Sequence, residues 1–126
     1  MPRYKGTSRE RVDPALFAEI FERAEPFEEI ENRLDYSWTL TRGVPIKRFE
    51  FSTRSDYATD PDLTEEEAEQ NVDRIEVISS KLQAGEPLWP IIVDLKGDVI
   101  DGYHRLTVAD EEGIDVVDVL VPKRGA

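Results

Sequence analysis

The chain has 126 residues and a formal net charge of −12, with 39% hydrophobic and 35% charged residues. This length is typical of one domain built around a single modest core. The negative charge disfavours nonspecific binding to DNA, whose affinity comes mainly from Lys and Arg neutralising phosphates. One histidine and no cysteine exclude disulfides, cysteine nucleophiles and the common types of zinc site, and they leave any other metal ligand unknown.

The sequence shows no pattern typical of membrane insertion or export. No stretch has the roughly 18 apolar residues that span a bilayer. The first residues also lack the apolar centre of a signal peptide. We therefore expect a cytoplasmic protein with no membrane partner.

The N-terminal third divides into a basic arm and a helical extension. Residues 1–11 are polar and basic without an apolar period, which predicts a flexible arm. Residues 12–43 form the predicted extension, in which Asp13 and Pro14 mark a helix start. The apolar face of this helix consists of Leu16, Phe17, Ile20, Phe21 and Ala24. A second, short helix is expected after Pro26.

Residues 44–126 form the predicted main domain. Residues 44–51 are rich in β-branched and aromatic residues and predict a strand, whereas the polar residues 53–62 predict a loop. Thr64 and Glu67 have the spacing of a capping box and predict the start of a long helix. Five apolar positions mark the buried face of that helix: Ala68, Val72, Ile75, Ile78 and Leu82.

The last third of the chain alternates strands with a helix. Residues 90–95 are apolar except for Asp94 and have the length of a strand, and residues 99–100 follow a turn and predict the second strand of a hairpin. A short helix should then stop at Gly113, and a strand over 116–121 should end before Pro122. With the preceding long helix, this order predicts an α+β fold in which helices flank a small mixed sheet.

Five consecutive residues open that last helix: Asp101, Gly102, Tyr103, His104 and Arg105. The first turn of a helix leaves backbone N–H groups without intrahelical partners and favours an anion. Glycine lets a ligand approach the backbone, arginine presents a fork of donors to phosphate oxygens, and histidine can donate a further bond. The aspartate can cap the helix, orient the histidine, accept a proton or help to hold a magnesium ion. The pattern predicts a phosphate-binding turn.

A structural role is the alternative for the same five residues. In that interpretation Asp101 and Gly102 form a turn or cap, His104 packs at the edge of the core, and Arg105 pairs with a nearby acid. Three aromatic residues either stack on a base or belong to the core: Tyr36, Trp38 and Trp89. Four basic residues either support phosphate binding or pair with acidic helices: Arg42, Lys47, Arg48 and Arg54.

The stretch 89–121 resembles the ParB/sulfiredoxin superfamily. The resemblance rests on the run Pro90-Ile91-Ile92-Val93, on Ile100 followed by the Asp-Gly-Tyr-His-Arg turn and Leu106, and on Ala109, Gly113 and the closing valine-rich strand. The long helix and the strand before it fit the same plan, so the match covers residues 44–121. By resemblance, the equivalent turn binds nucleotide phosphates through Gly102, His104 and Arg105, with Tyr103 in the turn and Asp101 assisting.

Members of this superfamily include CTP-binding partition proteins, ATP-dependent sulfiredoxins, an ADP-using free-serine kinase and ParB-like nucleases. Sulfiredoxins carry a cysteine where this sequence has Tyr103, so sulfinic-acid repair is not expected. Partition proteins continue into a DNA-reading helix-turn-helix, and the chain ends at Ala126, so a complete partition protein is not expected either. The turn is most similar to the kinase-like and stand-alone ParB-like branch. Kinase members use an acidic base, for which Glu50 is the candidate, although a solvent-facing Glu50 is the alternative.

The resemblance therefore implies a nucleotide-dependent phosphotransferase or phosphohydrolase, with Asp101, His104 and Glu50 as catalytic candidates. Its cofactors would be ATP, ADP or CTP with Mg²⁺, and a small molecule would accept the phosphoryl group. Whether the protein is an enzyme stays open. One alternative is a noncatalytic module of phage or plasmid type that senses a nucleotide or binds a protein partner or a second copy of the chain. Another alternative is a ParB-like nuclease.

Overall fold

The computed structural model describes residues 8–11 and 36–124, with the side chains described over residues 36–123. The predicted helices of residues 12–35 lie outside the described residues. The described elements are, in chain order, β1 Ser8–Arg11, β2 Tyr36–Pro45, a 3-10 helix Ile46–Arg48, α1 Arg54–Thr59, α2 Glu65–Gln83, β3 Ile91–Val93, β4 Val99–Asp101, α3 Tyr103–Glu111 and β5 Val116–Arg124.

The strands form a mixed sheet in the order β1-β2-β5-β3-β4. Strands β3 and β5 are parallel, with Ile91 opposite Val119, whereas β1–β2, β2–β5 and β3–β4 are antiparallel. Strand β4 and helix α3 together connect the two parallel strands. The α+β class and the mixed sheet predicted from the sequence are therefore confirmed.

Both faces of the central strands are buried. Successive side chains of a strand point to opposite faces, so Ile91 and Val93 pack with Leu106 of α3 on one face, while Ile92 packs on the other face with Leu120. Burial on both faces explains why β3 is a continuous apolar run rather than an alternating one. The hairpin of β3 and β4 predicted from that run is confirmed.

Strand β2 lies earlier in the chain than predicted, because Tyr36–Pro45 form the strand whereas Ile46–Arg48 form a 3-10 helix. The prediction of a strand over 44–51 is therefore wrong for most of its length. The alternation of residues that is typical of a strand lies instead in residues 36–41, where the buried Trp38 and Leu40 alternate with hydroxyl residues. The Ile46 amide then donates to the Asp115 carbonyl over 2.9 Å as the chain leaves the sheet.

Helix α1 occupies part of the segment predicted to be a loop. The Thr53 hydroxyl accepts from the Asp56 amide over 3.1 Å, and the Asp56 carboxylate accepts from the Thr53 amide over 2.9 Å. This capping box starts a short helix with no fully buried side chain, so no hydrophobic period reveals it. The same reciprocal bonds between Thr64 and Glu67 start α2, as predicted, and Ile75 is fully buried on its inner face. Over the described residues, no helix has the length and apolar character needed to cross a membrane.

The first and last strands of the chain also differ from the prediction. Ser8–Arg11, assigned to the flexible arm, pair with β2 with Ser8 opposite Arg42, because backbone pairing does not require an apolar side-chain pattern. Strand β5 continues through Pro122, which lies opposite Trp38. Strand β3 pairs with β5 at Val119 and Leu120, before the proline. At Pro122, β5 pairs only with β2 among the described strands, so the amide hydrogen that proline lacks is not needed for pairing with β3.

Candidate functional site

Gly102 joins β4 directly to α3 in a conformation and a space that require glycine. Its φ is 120° and its ψ is 9°, and it is buried. A Cβ atom at this position would lie 2.7 Å from Cδ1 of Ile91, closer than real Cβ atoms come, and 3.3 Å from Cα of Ile91, which is tighter than most Cβ contacts. Glycine therefore lets the chain turn from strand to helix while its backbone packs tightly against β3.

The first turn of α3 has no side-chain cap. Gly102 is the N-cap residue, and the first turn contains no acidic residue. The first intrahelical hydrogen bond runs from the Leu106 amide to the Gly102 carbonyl, over 3.0 Å. Amides in the first turn of a helix have no intrahelical acceptor, and the aligned peptide dipoles add partial positive charge there. The geometry of this helix start thus suits an anionic group.

Arg105 is held by partners inside the protein. Its Nη1 donates to the Pro90 carbonyl over 2.6 Å, and its Nη2 donates to the Asp101 carboxylate. The side chain is 14% exposed and that of Asp101 is 25% exposed. The guanidinium therefore fastens the first turn of α3 to the β3–β4 hairpin, as the structural alternative predicted. Because a guanidinium has five N–H donors, these two contacts leave donor capacity for a further acceptor.

His104 lies where three helices meet. Its Nε2 is 2.7 Å from Oδ1 of Asn71 on α2. Its ring is stacked on that of Tyr57 from α1, with centroids 5.3 Å apart and planes inclined by 17°. The imidazole is half-buried. Contacts from two helices other than its own set its position.

The phenol of Tyr57 has an altered acidity in this setting. Burial raises the pKa of the Tyr57 hydroxyl above its ordinary value, a hydrogen bond with Thr107 acts in the opposite direction, and Tyr103 raises it further. Thr107 itself is buried and donates from Oγ1 to the Ser52 carbonyl over 2.6 Å. The Tyr57 hydroxyl therefore stays protonated at neutral pH.

The other predicted site residues occupy different surroundings. Tyr103, in the first turn of α3, is 42% exposed. Glu50 is exposed in the segment between the 3-10 helix and α1. His104 contacts Tyr57 and Asn71, and Arg105 contacts Pro90 and Asp101. The role of Glu50 as a base stays a prediction.

Sequence reasoning missed Asn71 and Tyr57. Asn71 lies one helical turn before Ile75, so it is a polar residue on the buried face of α2, and this position was the available signal. Tyr57 lies in the segment predicted to be a loop, where no pattern indicated an inward-facing ring.

The aromatic and basic residues outside the turn are mainly structural. Trp38 is 6% exposed in the core, where Tyr36 contacts it edge-on with ring centroids 6.2 Å apart, and Trp89 packs partly buried against the same cluster. Arg42 pairs with Asp118 over 3.1 Å. Arg54 pairs with Glu76 over 2.9 Å and with Glu111 over 3.0 Å. Pairing with acids is confirmed for both arginines.

An open groove of about 590 Å³ lies between α1 and the start of α2. Its lining includes Asp60, Glu65 and Glu69. Negative charge at these positions disfavours a phosphate group, so the groove is a poor alternative to the start of α3.

The side chains of residues 36–123 include no group of three or more His, Cys, Asp or Glu that could hold a metal ion. Asp101, the carboxylate of the turn itself, is paired with Arg105. Mg²⁺ is commonly held by one or two carboxylates together with substrate phosphates. These residues do not form a site for the predicted magnesium by themselves.

No protein-family model matches the chain. The chain is 46% identical over 44 residues to an uncharacterized protein of Acidianus two-tailed virus, ORF326b, in a match that covers 35% of this chain and 14% of the viral protein. Among solved structures, it is similar to a Pnob8-like ParB-N domain with a TM-score of 0.44 and 20% sequence identity, over 71% of this chain and 31% of that chain. The chain spans less than a third of either relative.

Proposed function

We propose that this protein binds the phosphate groups of a nucleotide at the start of α3. The observation that carries the proposal is the glycine N-cap, because Gly102 has a positive φ, lies against Ile91 and leaves the first turn without a side-chain cap or an acidic residue. A helix start of this kind attracts anions through its amides and its dipole. The Asp-Gly-Tyr-His-Arg resemblance to the ParB/sulfiredoxin superfamily supports the choice of a nucleotide.

The residues of the turn divide the task. Gly102 turns the backbone from β4 into the first turn of α3, and the exposed ring of Tyr103 offers a surface beside that turn. Arg105 adds positive charge and the guanidinium N–H donors that its two internal contacts leave unused. Asp101 and the Pro90 carbonyl hold that guanidinium in place. ATP, ADP and CTP are the nucleotides to test.

The catalytic form of the proposal is transfer of a phosphoryl group to a small acceptor or to water. Such reactions depend on positioning and on neutralising the charge of the phosphoryl oxygens, which the helix start and Arg105 would supply. Asp101 and His104 lie in the turn, and Glu50 is the third catalytic candidate. Magnesium would arrive with the nucleotide.

A noncatalytic nucleotide-sensing module is the second candidate. The engagement of Arg105 by Asp101 and Pro90 favours it, because a guanidinium tied to internal partners has fewer donors for a developing negative charge. The net charge of −12 argues against DNA as a substrate and places the nuclease third.

Isothermal titration calorimetry with ATP, ADP and CTP, each with magnesium, tests the binding proposal. Arg105→Ala should weaken binding at least about tenfold, the equivalent of one charge-assisted hydrogen bond. Lys123→Ala removes the same formal charge at the end of β5 and should bind like the wild type, with circular dichroism confirming that both variants are folded. Failure of the wild type to bind any of the three nucleotides would overturn the proposal.

A turnover assay separates the two candidate functions. Phosphorus NMR of the wild type with the nucleotide that binds should reveal inorganic phosphate or a phosphorylated acceptor if the protein is an enzyme. Binding without any new phosphorus signal assigns the sensing module instead.

A further inference from the structure

The orientation of the Asn71 amide is fixed by its own helix. Its Nδ2 donates to the Glu67 carbonyl, one turn earlier in α2, over 2.9 Å. A carbonyl oxygen only accepts, so the nitrogen end of the amide must face it. The reverse orientation would place two acceptor oxygens against each other. Oδ1 of Asn71 therefore faces Nε2 of His104, at 2.7 Å.

This orientation decides which ring nitrogen of His104 carries hydrogen. An amide oxygen has no hydrogen to donate, so Nε2 must be the donor in the contact with Asn71. A neutral imidazole carries one N–H only, and its other nitrogen is then an acceptor. In neutral His104 the acceptor is Nδ1.

The stacked ring of Tyr57 restricts the plane of the imidazole. Tyr57 lies nearly parallel to the imidazole, with an angle of 17° between the planes. A partial rotation of the imidazole about its Cβ–Cγ bond would tilt it out of this stack, whereas a half-turn would keep the stack but take Nε2 away from Asn71. Contacts from α1 and α2 therefore hold one ring orientation.

We infer that Asn71 is a positioning residue that holds neutral His104 with its hydrogen on Nε2 and its acceptor lone pair on Nδ1. Phosphate oxygens are acceptors, so neutral His104 suits a hydroxyl group or a water molecule better than a phosphate. Within the turn, the backbone amides and Arg105 are then left as the phosphate donors. The use of Nδ1 toward a bound hydroxyl or water rests on the proposed function, but the position of the hydrogen does not.

Nitrogen-15 NMR of the ligand-free protein tests the inference directly. His104 is the only histidine, so the two imidazole nitrogens can be assigned without ambiguity. In the neutral form, Nε2 should show a directly bonded hydrogen and Nδ1 should not. A hydrogen on Nδ1 in the wild type would overturn the assignment without the need for any variant.

Substitutions at Asn71 test whether this residue is responsible. Asn71→Leu removes the acceptor and should speed exchange of the Nε2 hydrogen with water by about tenfold, the equivalent of one hydrogen bond. Gln70→Leu changes the exposed neighbour and should behave like the wild type. Unchanged exchange in a folded Asn71→Leu protein would show that Asn71 does not position the ring.

The ligand-free measurement keeps this inference separate from nucleotide binding. A wild type that shows the expected Nε2 hydrogen but binds no nucleotide supports the role of Asn71 and refutes the proposed function. Nucleotide binding with the hydrogen on Nδ1 supports the proposed function and refutes the role of Asn71.

Discussion

Asp101, the last residue of β4, and Arg105, in the first turn of α3, form an ion pair across the junction of the two elements. The same guanidinium donates to the Pro90 carbonyl, which precedes β3. One side chain therefore joins both strands of the hairpin to the first turn of the helix. This relationship makes Arg105 part of the fold as well as a candidate ligand-binding residue.

Arg105→Ala should destabilise the protein. It leaves the partly buried Asp101 carboxylate and the Pro90 carbonyl without this donor, at a cost of about 1–3 kcal/mol in the free energy of unfolding. Arg105→Lys should lose less, because it keeps the charge but not the fork. Urea denaturation measures both, with Lys123→Ala as a control expected to stay within about 0.5 kcal/mol of the wild type. Equal stability of Arg105→Ala and the wild type would contradict the role of Arg105 as a clamp.

Gly102→Ala should destabilise more than a change at an unpacked glycine. Gly85 also has a positive φ, of 91°, but a Cβ there meets nothing within 4 Å. Gly85→Ala should therefore cost only the backbone penalty, about 1–2 kcal/mol. Gly102→Ala adds the collision with Ile91, which Ile91→Val would relieve in part by removing Cδ1. A double-mutant cycle in urea checks this coupling, and additive costs at the two positions would argue against the collision.

Stability in acid should depend on the capping box of α2. Hydrogen bonds from the Thr64 backbone and side chain hold the pKa of Glu67 below its ordinary value. A carboxyl with a lower pKa in the folded protein contributes stability above its unfolded pKa, and the contribution is lost as the pH falls through the folded pKa. Thr64→Ala should lower stability at neutral pH by about 1 kcal/mol and reduce the acid dependence in part, because the backbone amide at position 64 still donates to Glu67. Thermal unfolding from neutral into acidic pH checks this, with Glu66→Gln as the control, and an unchanged acid profile in Thr64→Ala would count against it.

Arg54→Ala should have a small, salt-dependent effect. Arg54 links Glu76 of α2 to Glu111 of α3 at the surface, and exposed pairs contribute about 0.2–1 kcal/mol. The loss should shrink in high salt because mobile ions screen exposed charges. Nucleotide affinity should be unchanged, since Arg54 is already engaged by two carboxylates. A loss of affinity as large as that of Arg105→Ala would instead place Arg54 in the binding site.

The sequence predicted those elements whose signals are local. Helix α2 has both a capping box and a 3.6-residue apolar period, and the β3–β4 hairpin has a turn between apolar runs. In contrast, α1 buries no side chain fully, so its only signal was Thr53 with Asp56 three residues later. Strand β2 was misplaced because the β-branched composition of 44–51 outweighed the better alternation in 36–41.

The candidate site was predicted in position but not in its partners. The Asp-Gly-Tyr-His-Arg turn does open a helix, and the glycine is required there. The partners of His104 come from residues 33 and 47 positions earlier in the chain, Asn71 and Tyr57. Such contacts depend on how α1 and α2 pack against α3, which no local pattern encodes.

Because three helices meet at one imidazole, the hydrogens of His104 should report local opening of the protein. Detachment of α1 would remove the Tyr57 ring from one face of His104, whereas detachment of α2 would remove the Asn71 oxygen from its edge. Short surface helices such as α1 open at lower free energy than the sheet beneath them. The carbon-bound and nitrogen-bound hydrogens of His104 should therefore record the separate release of each helix before the sheet unfolds.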